Sequence, residues 1–229
     1  MEKKRSKRFE KLIKSKTKKA INLIDDSIKM VKSGCTSKFD ESIDVSFRLN
    51  LKQKKEEINL RTNVNLPNGN GKKVRVAVLC EDSKIQEAKD SGSDTFGADS
   101  LVNEILIGKI NFDKLIATPS MMAKMGKLGK ILGPKGMMPN PKLGTVTNNI
   151  KSTVKALKSG QIEIKSDKDG NVAASIGKKS FPDTKLKENF NAFLDVLKKE
   201  KPNGIKGDFI LSTFLTSTMG ISYKLKLEK

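Results

Sequence analysis

The chain contains no histidine and no tryptophan, one tyrosine and two cysteines among its 229 residues. Without histidine it has no Ser–His or Cys–His nucleophile, no histidine-ligated metal and no imidazole that titrates near neutral pH. The two cysteines, Cys35 and Cys80, have no partner in a CxxC spacing. We therefore expect reduced thiols in a cytoplasmic protein, with no metal and no cofactor bound.

Long apolar runs are also missing. No stretch approaches the roughly 18 apolar residues that span a bilayer, and no continuous apolar segment follows the basic start of the chain, residues 1–8. The sequence therefore predicts neither a membrane partner nor a secretion signal. Leu, Ile, Val and Phe still make up 27% of the chain, which is enough for a hydrophobic core.

Acidic residues are scarce, since 26 Asp and Glu stand against 46 Lys and Arg. The formal net charge is +20 and the pI is about 9.8. A charge this one-sided favours a polyanionic partner, and nucleic acid is the first candidate. The alternative is a lysine-rich globular protein whose charge serves solubility alone.

The N-terminal part of the chain shows helical and then alternating patterns. Its first twenty residues include ten basic side chains and three apolar ones that would anchor a helix against a core or a partner: Phe9, Leu12 and Ile13. A short helix is predicted to begin near Asp25 and to end at Gly34. Residues 42–51 and 58–66 alternate apolar with polar side chains, which predicts two half-buried antiparallel strands.

The pattern changes after the turn signal Pro-Asn-Gly-Asn-Gly at residues 67–71. From there to Gly160, compact strands alternate with helices, which is typical of an α/β unit with a parallel sheet. The predicted strands are 74–80 and 115–118, and the predicted helices are 83–91, 98–108, 121–132 and 149–158.

Beyond Gly160 the chain returns to alternation. Strands are predicted at 162–164, 172–176, 209–217 and 221–227, and the helix between them has one apolar face: Leu186, Phe190, Phe193, Leu194 and Leu197. We therefore expect an α/β domain, residues 68–159, inserted into an α+β domain formed by residues 1–67 and 160–229.

Within the predicted insertion, acidic and basic residues are separated along the sequence. Residues 114–162 contain nine lysines and no acidic residue, whereas the eight acidic residues of the insertion all fall between Glu81 and Asp113. We expect this separation to hold in space as well. Residues 121–142 combine glycines, lysines and methionines. That composition fits a phosphate-binding loop as well as a helix whose Met and Leu fill a core.

Signals of an enzyme are weak. The chain has no Walker A loop, no G-x-G-x-x-G after a strand and no G-x-S-x-G. A nucleotide-binding α/β enzyme would need a glycine loop after the strand 74–80, but Glu81-Asp82-Ser83 stands there and would repel phosphate.

Two further features are ambiguous from residue type alone. The small hydroxyl and glycine cluster 216–220 would suit a sugar–phosphate backbone, but a strand break or β-bulge is the simpler interpretation. Phe39 beside Lys38 would suit a nucleotide, although a lone Phe that enters a strand is usually part of the core.

One long string is specific to a known family. Residues 127–146 read Lys-Leu-Gly-Lys-Ile-Leu-Gly-Pro-Lys-Gly-Met-Met-Pro-Asn-Pro-Lys-Leu-Gly-Thr-Val. Further landmarks follow in family order: 38–45, 74–78, 112–113 with 117–119, 177–182 and 216–220. Together they resemble the bacterial-type ribosomal protein L-one family, and the resemblance covers essentially the whole chain.

The resemblance implies a fold and a set of partners. The fold is a split ferredoxin-like domain, made of both chain ends, with an inserted Rossmann-like domain that binds no nucleotide. The first domain binds large-subunit rRNA and forms the mobile lateral stalk, as a monomer within the ribosome. The family also assists release of deacylated tRNA from the exit site, and many bacterial members repress their own operon mRNA. The ribosome would be cytoplasmic, or lie in an organellar matrix or stroma.

The resemblance also implies site residues. The expected RNA-binding set comprises eight residues of the first domain: Lys38, Phe39, Ser42, Asp44, Ser212, Thr218, Met219 and Gly220. A secondary contact with RNA or tRNA is expected from four lysines of the insertion: Lys127, Lys130, Lys135 and Lys142. The alternative function is a free RNA-binding translational repressor without a ribosomal role.

Overall fold

The computed structural model describes residues 6–15, 22–50, 60–202 and 207–227. It is a mixed α/β structure that divides into two compact units. Unit 1 comprises residues 1–60, 66–71 and 164–229, and unit 2 comprises residues 61–65 and 72–163.

The helices are α1 (Lys7–Ser15), α2 (Ile24–Ser33), α3 (Ile85–Asp90), α4 (Asp99–Leu106), α5 (Met122–Met125), α6 (Gly129–Leu132), α7 (Ile150–Lys158) and α8 (Asp183–Lys199). The strands are β1 (Ser42–Leu49), β2 (Arg61–Asn65), β3 (Val76–Leu79), β4 (Thr95–Gly97), β5 (Lys114–Ala117), β6 (Gln161–Lys165), β7 (Asn171–Lys178), β8 (Ile210–Ser217) and β9 (Tyr223–Leu225).

Unit 1 contains a four-stranded antiparallel sheet in the order β7-β1-β8-β9. Alternate residues of β1 are fully buried because they face the core: Ile43, Val45, Phe47 and Leu49. Helix α8 covers this face, and the ring of Phe47 stacks on Phe190 and Phe193 with centroid distances of 5.9 and 5.2 Å. Helix α2 packs on α8, β8 and β9. The opposite face of the sheet carries partly exposed residues of β1 and β8, which are polar apart from Phe214.

A buried amide ties α8 to the turn at residues 66–71. Asn189 has no exposed surface, and its Nδ2 donates to the carbonyls of Gly69 and Ile176 at 2.8 and 2.7 Å. Its Oδ1 accepts from the N–H of Asn68 at 3.1 Å. The amide therefore satisfies three backbone groups, as a polar side chain in a core must.

Unit 2 contains a three-stranded parallel sheet in the order β4-β3-β5. Each face of the sheet has its own apolar cluster. One includes Leu79, Ile105 of α4 and Met125 of α5, and the other includes Val78 and Val154 of α7. The parallel α/β arrangement expected from the sequence is therefore confirmed.

Several expected elements differ in detail. The predicted helix 121–132 is divided into α5 and α6 with 3₁₀ turns before and between them, because glycines at 126 and 129 interrupt it. Strand β4 was not predicted. The two alternating segments do not pair with each other, since β1 pairs with β7 and β8 while β2 pairs with β6. Residues 51–59, where the second segment was expected to begin, lie outside the described residues.

The two cysteines are free and buried, and burial raises the pKa of both thiols. In the part of the chain that the structure describes, no helix has the length and apolar character needed to cross a bilayer.

Candidate nucleic-acid interface

Two exposed apolar side chains mark one end of the unit 1 sheet. Phe39 lies in the loop before β1 and is 54% exposed, and Met219 lies in the turn after β8 and is 46% exposed. A lone Phe that enters a strand is usually part of the core, but Phe39 is exposed and is not a core residue. Large apolar side chains that are exposed to solvent are candidates for contact with a partner.

A buried carboxylate holds these two loops together. Glu41 has no exposed surface; its Oε1 accepts from the N–H of Ser37 at 3.0 Å, and its Oε2 accepts from the N–H of Met219 at 3.1 Å. Burial by itself would raise the pKa of the Glu41 carboxyl. The neighbouring Ser217 side chain and the two N–H donors outweigh burial and lower this pKa overall. Glu41 therefore remains ionised and fixes both loops.

Two further hydrogen bonds between Ser42 and Thr218 join the same loops. The N–H of Thr218 donates to the carbonyl of Ser42 at 3.1 Å, and the N–H of Ser42 donates to Oγ1 of Thr218 at 3.0 Å. The Thr218 side chain thus helps to build the interface. A Cβ at Gly220 would overlap Oγ of Ser217, so a larger residue there would require the Ser217 side chain to rotate.

The polar face of the sheet continues from these loops. Asp44 pairs with Thr216 across β1 and β8, and Arg48 pairs with Ser212. Ser42, Asp44 and Ser212 are each partly exposed. Six of the predicted residues therefore lie where two connected loops meet one sheet face: Phe39, Ser42, Asp44, Thr218, Met219 and Gly220. Ser212 lies further along the same face of β8, and Lys38 is exposed beside Phe39.

Sequence reasoning missed two residues that position this interface, Glu41 and Arg8. The Arg8 guanidinium on α1 donates through Nη2 to the carbonyl of Met219 at 2.9 Å and through Nη1 to Oγ1 of Thr36 at 3.0 Å. Helix α1 is thereby attached to both loops. Contacts that span 178 and 211 positions leave no local pattern in the sequence.

The basic segment of unit 2 has a buried apolar side and an exposed lysine-rich side. Its apolar side chains are core residues: Met121, Met125, Leu128 and Leu132. The four lysines named from the resemblance are all exposed: Lys127, Lys130, Lys135 and Lys142. Lys135 and Lys142 lie in turns that use Gly136 and Gly144, whose φ angles are 67° and 66°. The core interpretation of the segment's composition is therefore confirmed, and the phosphate-binding interpretation stays a prediction.

Acidic groups of unit 2 lie at both ends of its strands. Glu81 and Asp82 follow β3 and are exposed. Asp113 precedes β5 and pairs with Arg75 at 3.3 Å, which lowers the pKa of its carboxyl.

Acidic residues of the segment 81–113 also pair with lysines of the segment 114–162, since Lys124 contacts Asp99 at 2.6 Å and Lys158 contacts Asp94 at 3.0 Å. The expected separation of acidic from basic residues in space is therefore wrong at these contacts. Among the described residues, no group of acidic or cysteine side chains could hold a metal ion.

Known proteins match the chain almost throughout. Residues 31–221 match the Ribosomal protein L1p/L10e family. A protein of Pelagibacter ubique, named large ribosomal subunit protein uL1, is 58% identical over 225 residues, which is 98% of each chain. Proteins of the same name from Rickettsia bellii and Rickettsia akari are 47% and 45% identical, over 88% and 89% of this chain and 84% and 85% of theirs. The chain therefore belongs to the Ribosomal protein L1p/L10e family.

Proposed function

We propose that this chain is a structural component of the large ribosomal subunit and binds large-subunit rRNA through the loops around Phe39 and Met219. The observation that carries the proposal is that Glu41 joins the two loops and leaves both apolar side chains exposed. The names of the relatives support the ribosomal assignment.

The interface has the groups that folded RNA requires. Phe39 offers a ring for stacking on an unpaired base, while the hydroxyls of Ser42 and Ser212 suit the ribose 2′-OH and phosphate. Lys38 supplies positive charge beside the ring, and Asp44 accepts hydrogen bonds from base or ribose. Thr218 and Gly220 act mainly by shaping the turn that presents Met219.

We assign the two domains different roles. The domain of residues 1–67 and 160–229 would be the rRNA-binding domain, and it carries a net +13 of the total +20. The inserted domain, residues 68–159, carries +7. Its exposed lysines, Lys127, Lys130, Lys135 and Lys142, would make weaker contacts with rRNA or tRNA as point charges.

Two finer functions follow from the family resemblance. As part of a mobile lateral stalk, the protein would assist release of deacylated tRNA from the exit site. Release rates on large subunits with and without the protein test this. The same surface would repress the operon mRNA, and competition between messenger and rRNA for the protein tests that. We propose a monomer within the ribosome of the cytoplasm, or of an organellar matrix or stroma.

One alternative function is excluded by the family, and the other requires an experiment to exclude it. A nucleotide-binding enzyme is excluded, because the family consists of structural, non-enzymatic proteins. A free translational repressor would use the same surface, so only association with ribosomes separates it from the proposed function.

Binding to large-subunit rRNA should depend strongly on salt. If the protein neutralises about 6–10 phosphates, affinity should fall by about 10³–10⁵-fold between about 50 and 200 mM salt. Filter binding of transcribed Pelagibacter ubique large-subunit rRNA across this range measures the slope. A flat response would contradict a surface that depends on phosphate contacts.

A further inference from the structure

Helix α1 presents a row of exposed lysines outside the proposed interface. Lys7, Lys11 and Lys14 are exposed and follow an i, i+4, i+7 spacing, which places them on one helix face. The apolar residues of α1 lie on another face, where Leu12 is buried with 8% exposure. The helix is therefore anchored through its apolar side and presents positive charge to solvent.

Arg8 places this helix directly beside the interface. Its two hydrogen bonds, to Met219 and to Thr36, connect α1 to the turn after β8 and to the loop before β1. In helical projection at 100° per residue, Arg8 lies about 60° from Lys11 and about 100° from Lys7. The lysine row thus begins next to the face that contacts the loops and forms a continuous basic margin with it.

The net positive charge of this margin favours a polyanionic partner. Glu10 is the single acidic residue among the described residues of α1, and it stands against Lys7, Arg8, Lys11 and Lys14. The candidate interface itself carries Asp44 and lies beside Asp40. A polyanion seated on Phe39 and Met219 would extend past the loops, and its phosphates would meet the lysine row.

We propose that α1 extends the interface, with Lys7, Lys11 and Lys14 binding the phosphate backbone that flanks the RNA element held by the loops. This inference rests on the proposed rRNA-binding function. The row contributes affinity and salt dependence without reading bases, because each ammonium is a flexible point charge.

The test compares salt slopes for rRNA binding. A triple variant, Lys7→Gln, Lys11→Gln and Lys14→Gln, should lower the slope of log affinity against log salt by about 3, about one for each lost phosphate contact. The control removes three exposed lysines of α8, which packs on the other face of the sheet: Lys185→Gln, Lys198→Gln and Lys199→Gln. This control should leave the slope within about 0.5 of wild type.

A charge-preserving variant separates electrostatics from helix stability. Lys7→Arg, Lys11→Arg and Lys14→Arg should retain the wild-type slope. If the Gln triple keeps the wild-type slope, or loses no more than the α8 control, the inference is overturned. If wild-type protein itself does not bind the rRNA, the proposed function fails instead, so the two failures are distinguishable.

Discussion

Met219→Asp is expected to lower affinity for large-subunit rRNA by about 2–4 kcal/mol, on the order of 30- to 1000-fold. The change replaces an apolar side chain that is 46% exposed with a carboxylate that would face phosphates. The fold should survive, because the structure uses the backbone of Met219 for its bonds to Glu41 and Arg8. Equilibrium filter binding at fixed salt measures the effect.

Two controls isolate the position of the new charge. Met219→Leu keeps an apolar side chain and should stay within about threefold of wild type. Leu211→Asp adds the same charge to another exposed apolar residue, since Leu211 is 53% exposed and lies at the opposite end of β8 from Met219. It should reduce affinity far less. Equal losses from Met219→Asp and Leu211→Asp would mean that net charge, not this surface, governs binding.

Glu41→Ala is expected to cost about 2–6 kcal/mol in the free energy of unfolding, because the N–H groups of Ser37 and Met219 would each lose a partner. The loops would no longer be held together, so rRNA affinity should fall even where the protein remains folded. Urea denaturation at neutral pH measures the stability, and filter binding below the unfolding midpoint measures the affinity.

Asp40→Ala provides the matched control. Asp40 also accepts two hydrogen bonds, from the N–H and the hydroxyl of Ser180 at 3.1 and 2.8 Å, but it is exposed. Its loss should cost about 1 kcal/mol or less, since water replaces the lost partner. A Glu41→Ala variant no less stable than Asp40→Ala would contradict the role given to the buried carboxylate.

The pH dependence of stability has a definite sign at this site. The pKa of Glu41 is lowered in the folded state from its ordinary 4.5, so its contribution is present above that value. The contribution disappears as pH falls from 4.5 through the folded-state pKa. Glu41→Gln removes this contribution, so the difference in unfolding free energy from wild type should shrink below pH 4.5. A constant difference down to pH 3 would contradict the lowered pKa.

The regular elements of the fold could be predicted because their patterns are local. The alternation of Ile43, Val45, Phe47 and Leu49 predicted β1, and the apolar face of α8 predicted that helix; all four strand residues are buried. Strand β4 could not be predicted in the same way. It has three residues, Thr95–Gly97, and exists because it pairs in parallel with β3.

The candidate interface could also be predicted only in part. The exposure of Phe39 and Met219 followed from the family resemblance, whereas residue type alone favoured a core residue and a strand break. The chain does leave β8 at Thr218, so the strand break is present together with the exposed methionine. Glu41 and Arg8 went unnoticed because a buried carboxylate and a surface guanidinium look like ordinary charged residues until the chain is folded.

We propose that the Phe39 and Met219 loops hold this chain in the large ribosomal subunit. Sedimentation of ribosomes at moderate salt tests it most directly. We expect the wild-type protein to migrate with large subunits and folded Met219→Asp to remain at the top of the gradient. A wild-type protein that stays at the top, while still binding free rRNA, would contradict the claim and favour a free repressor.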